Sequence, residues 1–212
     1  MTIAVLHHLA NPFLGNAVAL GPVQEVHVDR GDELPELDRV SGIVSLGGEQ
    51  SAWDDELQRE VAYLRAAVDA DVPVLGVCLG AQLLARALGA TVRRSERFVG
   101  WRQLQPLPAG ANDPLLDGLP VPIPALHFNQ DVFDLPEGAE ELVARVDPHS
   151  VEAFRRGRAW GVQFHPDTDA DALEGWIVEY ADYMTDPDNL RAGPLDSRRL
   201  FANFAEVAAG AR

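Results

Sequence analysis

The only cysteine of the 212-residue chain, Cys78, lies in the segment Gly-Val-Cys-Leu-Gly at positions 76–80. An apolar run over 73–77 leads into it and a helix-like segment follows at once, which is typical of a nucleophile elbow with sulfur in place of hydroxyl oxygen. Such a turn leaves no room for side chains two positions before and after the nucleophile, where this chain has Gly76 and Gly80. Because a helix N-terminus stabilises negative charge, we predict a reactive thiolate at Cys78.

A cysteine nucleophile needs a general base, a group that orients the base, and donors for the oxyanion. The candidate base is His165, which directly follows the apolar run 159–164 and precedes Pro166 and Asp167. Open parallel sheets bind ligands at the carboxyl ends of their strands, so we expect Cys78 and His165 to meet at one sheet edge. Asp167 is the candidate group that orients the imidazole.

Gly47 and Gly48 end another apolar run, at 42–46. A glycine pair lets the main chain approach a ligand closely and point amide groups at it. The amides of Gly48 and Leu79 are therefore the candidate oxyanion hole, with Gly47 next to the substrate. Gln82 lies one turn into the predicted helix, faces the same opening, and is a candidate for binding a polar substrate.

Strands and helices alternate in the first half of the sequence. Apolar and β-branched runs predict strands at 2–9, 23–28, 42–46 and 73–77, and helical spacing predicts helices from 54 and over 80–88. Further short strands are predicted at 99–107, 125–133, 142–146, 151–154 and 159–164, and helices over 169–184 and from a cap at Asp196 through 207. The chain is thus predicted to be a single α/β domain over 1–212, with an open, mostly parallel sheet, helices on both faces, and some antiparallel strands.

Composition excludes several classes of function. The net charge of −16 and the pI of about 4.6 argue against nucleic-acid and membrane-surface partners, and no apolar stretch reaches the ~20 residues of a membrane span. The chain has no lysine, which excludes P-loop and Schiff-base chemistry. No cluster has metal-ligand spacing, so we predict no metal and no cofactor. A lone cysteine and an N-terminus without signal-peptide features predict a cytoplasmic protein.

Three motifs resemble those of the triad-type, or class I, glutamine amidotransferases: Gly-Val-Cys-Leu-Gly-Ala-Gln at 76–82, Gly-Val-Gln-Phe-His-Pro-Asp at 161–167 and Gly-Gly-Glu-Gln-Ser at 47–51. The chain most resembles stand-alone members that are similar to the glutaminase part of GMP synthase, and the resemblance covers most of its length. It implies a flavodoxin-like fold. It also implies roles for Cys78 as nucleophile, His165 as base, Gly48 and Leu79 as oxyanion donors, and Gln82 as a contact of substrate glutamine.

The chain departs from this family pattern at two places. Relatives carry a glutamate after His-Pro, where this chain has Asp167, whose side chain is one methylene shorter. Many relatives carry His-Gly-Asp where this chain reads Asn-Gln-Asp at 129–131. The resemblance implies that this segment borders the active-site opening, so Asn129 and Gln130 are candidate substrate contacts. The change leaves the substrate and the partner surface open.

Three functions fit these motifs. The first is a glutamine amidotransferase-type hydrolase that cleaves the side-chain amide of glutamine through a glutamyl thioester on Cys78. It would release glutamate and ammonia, the latter for a separate synthetase or acceptor subunit. The second function uses the same residues to hydrolyse γ-glutamyl amides or peptides. The third is a catalytically weak binding or regulatory protein, in which the aspartate at 167 reflects lost activity.

Overall fold

A seven-stranded sheet forms the centre of the computed structural model, which describes residues 1–10 and 12–211. Its strands lie in the order β2 (Val23–His27), β1 (Thr2–His7), β3 (Val40–Ser45), β4 (Val74–Val77), β9 (Ala159–Val162), β8 (Ala153–Arg156) and β7 (Glu140–Glu141). The first five of these pair in parallel, whereas β8 and β7 pair antiparallel. The predicted open and mostly parallel sheet with some antiparallel strands is confirmed.

Helices connect the strands and cover the sheet. Within the described residues they are α1 (Gln58–Asp69), α2 (Leu79–Ala87), α3 (Pro108–Ala111), α4 (Ala170–Glu179), α5 (Pro187–Arg191) and α6 (Arg198–Ala208). Short 3₁₀ helices span Gly15–Leu20, Val28–Arg30, Leu37–Arg39, Asp55–Leu57 and Ala181–Tyr183.

Apolar side chains pack on both faces of the sheet, because successive residues of a strand point to opposite sides. In β1, Ile3 and Val5 belong to one buried core together with Phe204 of α6. Ala4 and Leu6 belong to a second core, which contains residues of α1 and α2. Every residue of β4 is buried, as expected for a central parallel strand covered on both faces.

A second sheet consists of two long antiparallel strands, β5 (Val92–Leu104) and β6 (Ile123–Phe133). The segment after β9 is tied to this sheet, since the amide of His165 donates to the carbonyl oxygen of Leu126 at 2.8 Å. Residues 128–131 of β6 thereby lie near the carboxyl ends of β4 and β9.

Two predicted strands differ from the structure. Residues 142–146 do not form the predicted strand, because β7 ends at Glu141 and the apolar Leu142 and Val143 are loop residues buried in the core. The strand predicted from 99 starts earlier, at Val92. Pairing with β6 extends it through a polar, arginine-rich segment that carries no strand pattern of its own.

Two predicted helices also have different bounds. The helix predicted over 169–184 ends at Glu179, since Tyr180 leaves the helical conformation with φ −113° and ψ 33°, and a 3₁₀ turn follows. The last helix begins at Arg198, and Asp196 accepts a hydrogen bond from the amide of that residue at 3.2 Å. The assignment of residues 1–212 to a single domain stays a prediction.

Candidate active site

Cys78 lies in a sharp turn between β4 and the first residue of α2. Its φ of 50° and ψ of −105° lie outside the regions that residues with side chains ordinarily adopt, so the backbone is strained. Two hydrogen bonds to neighbouring strand ends hold the turn. The amide of Cys78 donates to the carbonyl oxygen of Val162 at 2.9 Å. The amide of Gly80 donates to the carbonyl oxygen of Leu46 at 3.2 Å.

The two glycines of the turn allow close main-chain contacts. A Cβ atom on Gly80 would lie 2.0 Å from the carbonyl oxygen of Ser45, and one on Gly76 would lie 2.5 Å from the carbonyl oxygen of Gly80. Neither contact is possible for a residue with a side chain. The start of α2 therefore packs directly against the end of β3, which places the amide of Leu79 beside the loop that follows this strand.

His165 and Asp167 lie next to Cys78. The Nδ1 atom of His165 is 3.2 Å from an oxygen of Asp167, and the imidazole packs edge-on against Trp176 with ring centroids 4.8 Å apart. A Cβ atom on Gly47 would lie 2.8 Å from Cε1 of His165 and 3.8 Å from Cβ of Cys78. Gly47 thus leaves the space in which the sulfur and the imidazole approach each other.

The charges around His165 determine its protonation. Burial alone would lower the pKa of the imidazole, because burial penalises the charged form. The negative charges of Cys78 and Asp167, with hydrogen bonds to both side chains, outweigh burial and raise the pKa to about 10. The imidazole is therefore protonated at neutral pH and loses its proton only as the pH rises towards 10.

The amides of Gly48 and Leu79 are available beside this pair. Leu79 is the first residue of α2, so its amide has no acceptor within the helix. Gly48 packs closely against it, since a Cβ atom on Gly48 would lie 2.8 Å from Cδ2 of Leu79. Within the described parts of the chain, neither amide donates a hydrogen bond to another protein group. Both are therefore free to bind an oxygen atom of a ligand.

The predicted site residues line a single cleft of about 770 Å³. The side-chain amides of Gln82 and Asn129 both donate to the carbonyl oxygen of Asp131, at 3.0 and 3.3 Å. Gln130 instead accepts a hydrogen bond from Arg97 at 3.1 Å. The structure thus brings together all nine residues that sequence reasoning selected: Gly47, Gly48, Cys78, Leu79, Gln82, Asn129, Gln130, His165 and Asp167.

Sequence comparison assigns the family. The family model "Glutamine amidotransferase class-I" matches residues 16–176, a range that contains Cys78, His165 and Asp167. The chain belongs to the class I glutamine amidotransferases.

Curated relatives of this amidotransferase are longer proteins. The glutamine-hydrolyzing GMP synthase of Aeropyrum pernix is 32% identical over 154 residues, which are 69% of this chain and 28% of that protein. A GMP synthase of Thermus thermophilus is 33% identical over 131 residues, which are 61% of this chain and 25% of that protein. The alignments therefore span about a quarter of the length of these relatives.

Solved structures share the fold over nearly the whole amidotransferase chain. A glutamine amidotransferase from Thermotoga maritima superimposes with a TM-score of 0.82 and 24% identity, covering 97% of this chain and 96% of that one. A glutamine amidotransferase from Methylobacillus flagellatus gives a TM-score of 0.79 and 24% identity, covering 98% and 93%. The flavodoxin-like fold that the motifs implied is confirmed.

Among residues 1–10 and 12–211, no helix combines the length and the apolar character that crossing a membrane requires. In the same residues, no group of three or more histidine, cysteine, aspartate or glutamate side chains is placed to hold a metal ion.

Sequence reasoning missed Gln163, which lies just after the end of β9. Its side chain is fully buried, and its Nε2 atom lies 3.7 Å from the sulfur of Cys78, within hydrogen-bonding range for sulfur. Its Oε1 atom has no hydrogen-bond partner among the described residues. A buried polar group that is left half unsatisfied costs stability, so this glutamine is a candidate for a role at the sulfur. A polar residue inside the apolar run 159–164 was the available signal.

Asn16 was also missed, and it organises the loop that carries Asp167. Its side-chain amide donates to the carbonyl oxygens of Pro166 and Thr168, each at 3.0 Å, and of Leu195 at 2.5 Å. Its main-chain amide donates to the carbonyl oxygen of Asp167 at 2.9 Å. Pro166 and Thr168 flank the aspartate in the sequence, so Asn16 fixes the main chain on both sides of it. Nothing in the local sequence around Asn16 indicates this role.

A buried polar network lies behind the glycine loop. The Nε2 atom of His8 is 2.8 Å from Glu60, whose other oxygen accepts from the hydroxyl of Ser45 at 2.7 Å. Burial alone would lower the pKa of His8, but the charge of Glu60 raises it above the ordinary value. A Cβ atom on Gly48 would lie 2.6 Å from Cβ of His8. The network therefore supports the main chain that carries the candidate oxyanion amide.

The close contact between Gly80 and Ser45 predicts that a side chain at position 80 destabilises the folded chain. We expect Gly80→Ala to lower the free energy of unfolding by about 3 kcal/mol, because the new Cβ meets the main chain of Ser45. The matched control is Gly175→Ala in the exposed part of α4, where nothing lies within 4 Å of the new Cβ. This control should raise stability by about 0.5–1 kcal/mol. Chemical denaturation measures both, and equal stability of the two variants would contradict the packing described.

The contact of Gln163 with the sulfur of Cys78 predicts that removing the side-chain amide slows alkylation of the cysteine without destabilising the fold. Gln163→Met keeps the approximate shape but removes the donor, so we expect iodoacetamide to alkylate Cys78 about tenfold more slowly at neutral pH. The unsatisfied Oε1 atom disappears as well, so the melting temperature should stay the same or rise. Mass spectrometry of the alkylated protein measures the rate. Unchanged alkylation would show that the amide does not stabilise the charged sulfur.

Proposed function

We propose that this chain is a glutamine amidotransferase-type hydrolase, which cleaves the side-chain amide of glutamine by covalent catalysis. One observation carries the proposal: Cys78, His165 and Asp167 converge in one cleft. Next to them lie the amides of Gly48 and Leu79, which donate no hydrogen bond within the described residues. These are the groups that acyl transfer to a thiol requires, namely a nucleophile, a proton carrier with its orienting group, and oxyanion donors.

In the first half of the proposed reaction, the sulfur of Cys78 attacks the Cδ carbon of glutamine. The carbonyl oxygen becomes negatively charged in the tetrahedral intermediate, and the amides of Gly48 and Leu79 donate to it. His165 is already protonated, and the ring nitrogen that does not face Asp167 gives its proton to the leaving nitrogen. Ammonia departs, and a glutamyl thioester remains on Cys78.

In the second half, the now neutral His165 takes a proton from a water molecule as that water attacks the thioester. The same two amides stabilise the second tetrahedral intermediate. Breakdown of this intermediate breaks the carbon–sulfur bond, releases glutamate, and restores the negatively charged sulfur beside the imidazolium. The proposed steps use protein groups and water alone.

We propose that Asp167 takes the place of the glutamate that family members usually carry. Its side chain is shorter, but its oxygen lies 3.2 Å from Nδ1 of His165. Gly15 and Asn16 support this approach, because they pack against the main chain of Asp167 and leave no room for a side chain at position 15. A Cβ atom on Gly15 would lie 2.0 Å from the carbonyl oxygen of Asp167.

We propose a separate synthetase or acceptor subunit as the partner that takes the ammonia. The support is the similarity to the glutamine-hydrolyzing GMP synthases of Aeropyrum pernix and Thermus thermophilus. The alignment covers about a quarter of the length of each of these proteins. The surface, at a net charge of −16, favours a docking face with basic residues on that partner. A cytoplasmic location is part of the proposal and follows from the lone cysteine.

The size of the cleft supports a second candidate function. About 770 Å³ lies within the range of roughly 300–1,000 Å³ that is typical of sites for drug-sized ligands, which are much larger than glutamine. A γ-glutamyl amide or peptide would fill more of this space. The chemistry at Cys78 would be the same, with a larger amine in place of ammonia as the leaving group.

Removal of the nucleophile tests the covalent mechanism. We expect Cys78→Ser to lower glutamine or γ-glutamyl amide hydrolysis at least ~10³-fold, since an alcohol is a much weaker acid and a weaker nucleophile than a thiol. Release of glutamate measures the rate, and an unchanged melting temperature is the control for folding. In the wild-type chain, an electrophilic glutamine analogue should label Cys78, and glutamine should block this labelling. Hydrolysis that survives the substitution would refute the mechanism. A wild-type Cys78 that resists labelling would instead favour the weak binding or regulatory protein.

The role of Asp167 predicts a change in the pH profile. The charge of Asp167 contributes to the raised pKa of His165, so Asp167→Asn should lower that pKa. We expect the alkaline limb of kcat/KM to move down by about 1 unit or more, and kcat/KM at its optimum to fall at least ~10-fold. Asp171→Asn, on the exposed surface of α4, is the matched control and should leave both unchanged. An alkaline limb that stays in place would mean that Asp167 does not act on the imidazole.

A further inference from the structure

We infer that Arg97, Gln130 and Tyr183 form a carboxylate-binding subsite in the outer part of the cleft, which holds a carboxylate group of a γ-glutamyl substrate. The inference rests on the proposed function, because the substrate is bound for attack by Cys78. It adds a residue, Arg97, that neither the motifs nor the proposed mechanism uses.

Arg97 is held in place without being neutralised. Its guanidinium carbon lies 3.8 Å from the centre of the Tyr183 ring, and its Nη2 atom donates to Oε1 of Gln130 at 3.1 Å. Among the described residues, no carboxylate forms an ion pair with it. The other arginine of the cleft, Arg94, is paired with Asp131 at 2.7 Å. Arg97 is exposed to solvent at the edge of the cleft, so its charge is accessible to a ligand that enters there.

The donors around this position suit a carboxylate. A guanidinium presents several N–H groups in one plane and binds carboxylates through two parallel hydrogen bonds. Stacking on Tyr183 and the hydrogen bond to Gln130 orient this plane in advance, which reduces the entropy lost on binding. Because Gln130 uses its oxygen to accept from Arg97, its side-chain NH₂ group is left as a further donor.

The subsite lies within reach of a substrate on Cys78. The carbonyl oxygen of Phe128 is 3.9 Å from the sulfur, and Gln130 is two residues further along β6. Two residues of a strand advance by roughly 6.6 Å. A γ-glutamyl compound in an extended conformation spans a comparable length, so a carboxylate at one of its ends can meet Arg97 while its amide carbon meets the sulfur.

The walls of the outer cleft suit the rest of such a substrate. The rings of Tyr180 and Tyr183 pack edge-on against Phe128, with centroids 5.2 and 6.5 Å apart, and all three line the cleft. They give an apolar surface next to the cationic group. This combination fits γ-glutamyl amino acids, whose leaving amine carries both a carboxylate and an apolar part. The carboxylate on the α-carbon of the glutamyl group is the alternative source of the same chemistry.

Substitutions at Arg97 with three substrates test the subsite and separate these two sources. The substrates are glutamine, γ-glutamylmethylamide, whose leaving group has no charge, and γ-glutamylglycine, whose leaving group has a carboxylate. We expect Arg97→Gln to lower kcat/KM at least about tenfold, mainly through KM, and Arg97→Lys to restore part of the loss. The matched control is Arg93→Gln on the same strand, whose side chain pairs with Asp134 outside the cleft. It removes the same charge and should change kcat/KM by less than about twofold.

Each outcome decides the inference. A loss confined to γ-glutamylglycine places the leaving-group carboxylate at Arg97, and an equal loss with all three substrates places the α-carboxylate there. No loss with any substrate, or an equal loss with Arg93→Gln, overturns the subsite while leaving the proposed function intact. If the wild-type chain hydrolyses none of the three, the proposed function fails instead. The subsite is then decided by the rise in melting temperature with γ-glutamylglycine, which Arg97→Gln should abolish. A rise that is absent, or that survives the substitution, overturns it.

Discussion

The contact between Gly80 and the carbonyl oxygen of Ser45 is the constraint on which the rest of the site depends. Because position 80 has no side chain, α2 can start directly against the end of β3. This brings the amide of Leu79 beside that of Gly48 and forces Cys78 into a conformation with positive φ at the tip of the turn. The strain is compensated by the hydrogen bonds to Val162 and Leu46 and by the buried layers on both sides of the sheet. The nucleophile candidate is thus positioned by the rigid part of the fold.

Buried charge is the second organising feature, and it is paired wherever it occurs near the cleft. His165 lies between Cys78 and Asp167, and His8 lies against Glu60. A charged group away from water is tolerated when an opposite charge and hydrogen bonds replace the lost hydration. The pairs have different neighbours, since the first lies beside Cys78 and the second packs against Gly48. The raised pKa of His165 is therefore a property of the folded chain, since it arises from neighbouring protein groups.

The sequence was informative where one residue type satisfies one physical requirement. Glycines at 76 and 80 indicated the tight turn, and the apolar runs before Cys78 and His165 correctly predicted strands whose ends meet. Contacts between distant segments could not be predicted in this way. Asn16 reaches the loop at 166–168 from about 150 positions away, and its neighbours carry no pattern that indicates this. The apolar pair Leu142 and Val143 was misread as a strand, because periodicity does not distinguish a strand from a loop that is buried by other elements. Catalytic roles depend on reactivity, so for the site residues they remain proposals.

The hydrogen bonds of Asn16 have a consequence for the order in which the site assembles during biosynthesis. The loop with His165 and Asp167 is held by a residue near the start of the chain, and that residue is bonded in turn to Leu195. A ribosome-bound chain that has emerged only as far as α2 would already contain the elbow and Asn16, but not His165, Asp167 or Leu195. The sulfur would then lack the imidazole that lies beside it in the folded chain. The contact between Cys78 and His165 thus forms only after the segment with Asn16, the elbow and the loop at 165–168 have all been synthesised and have folded together.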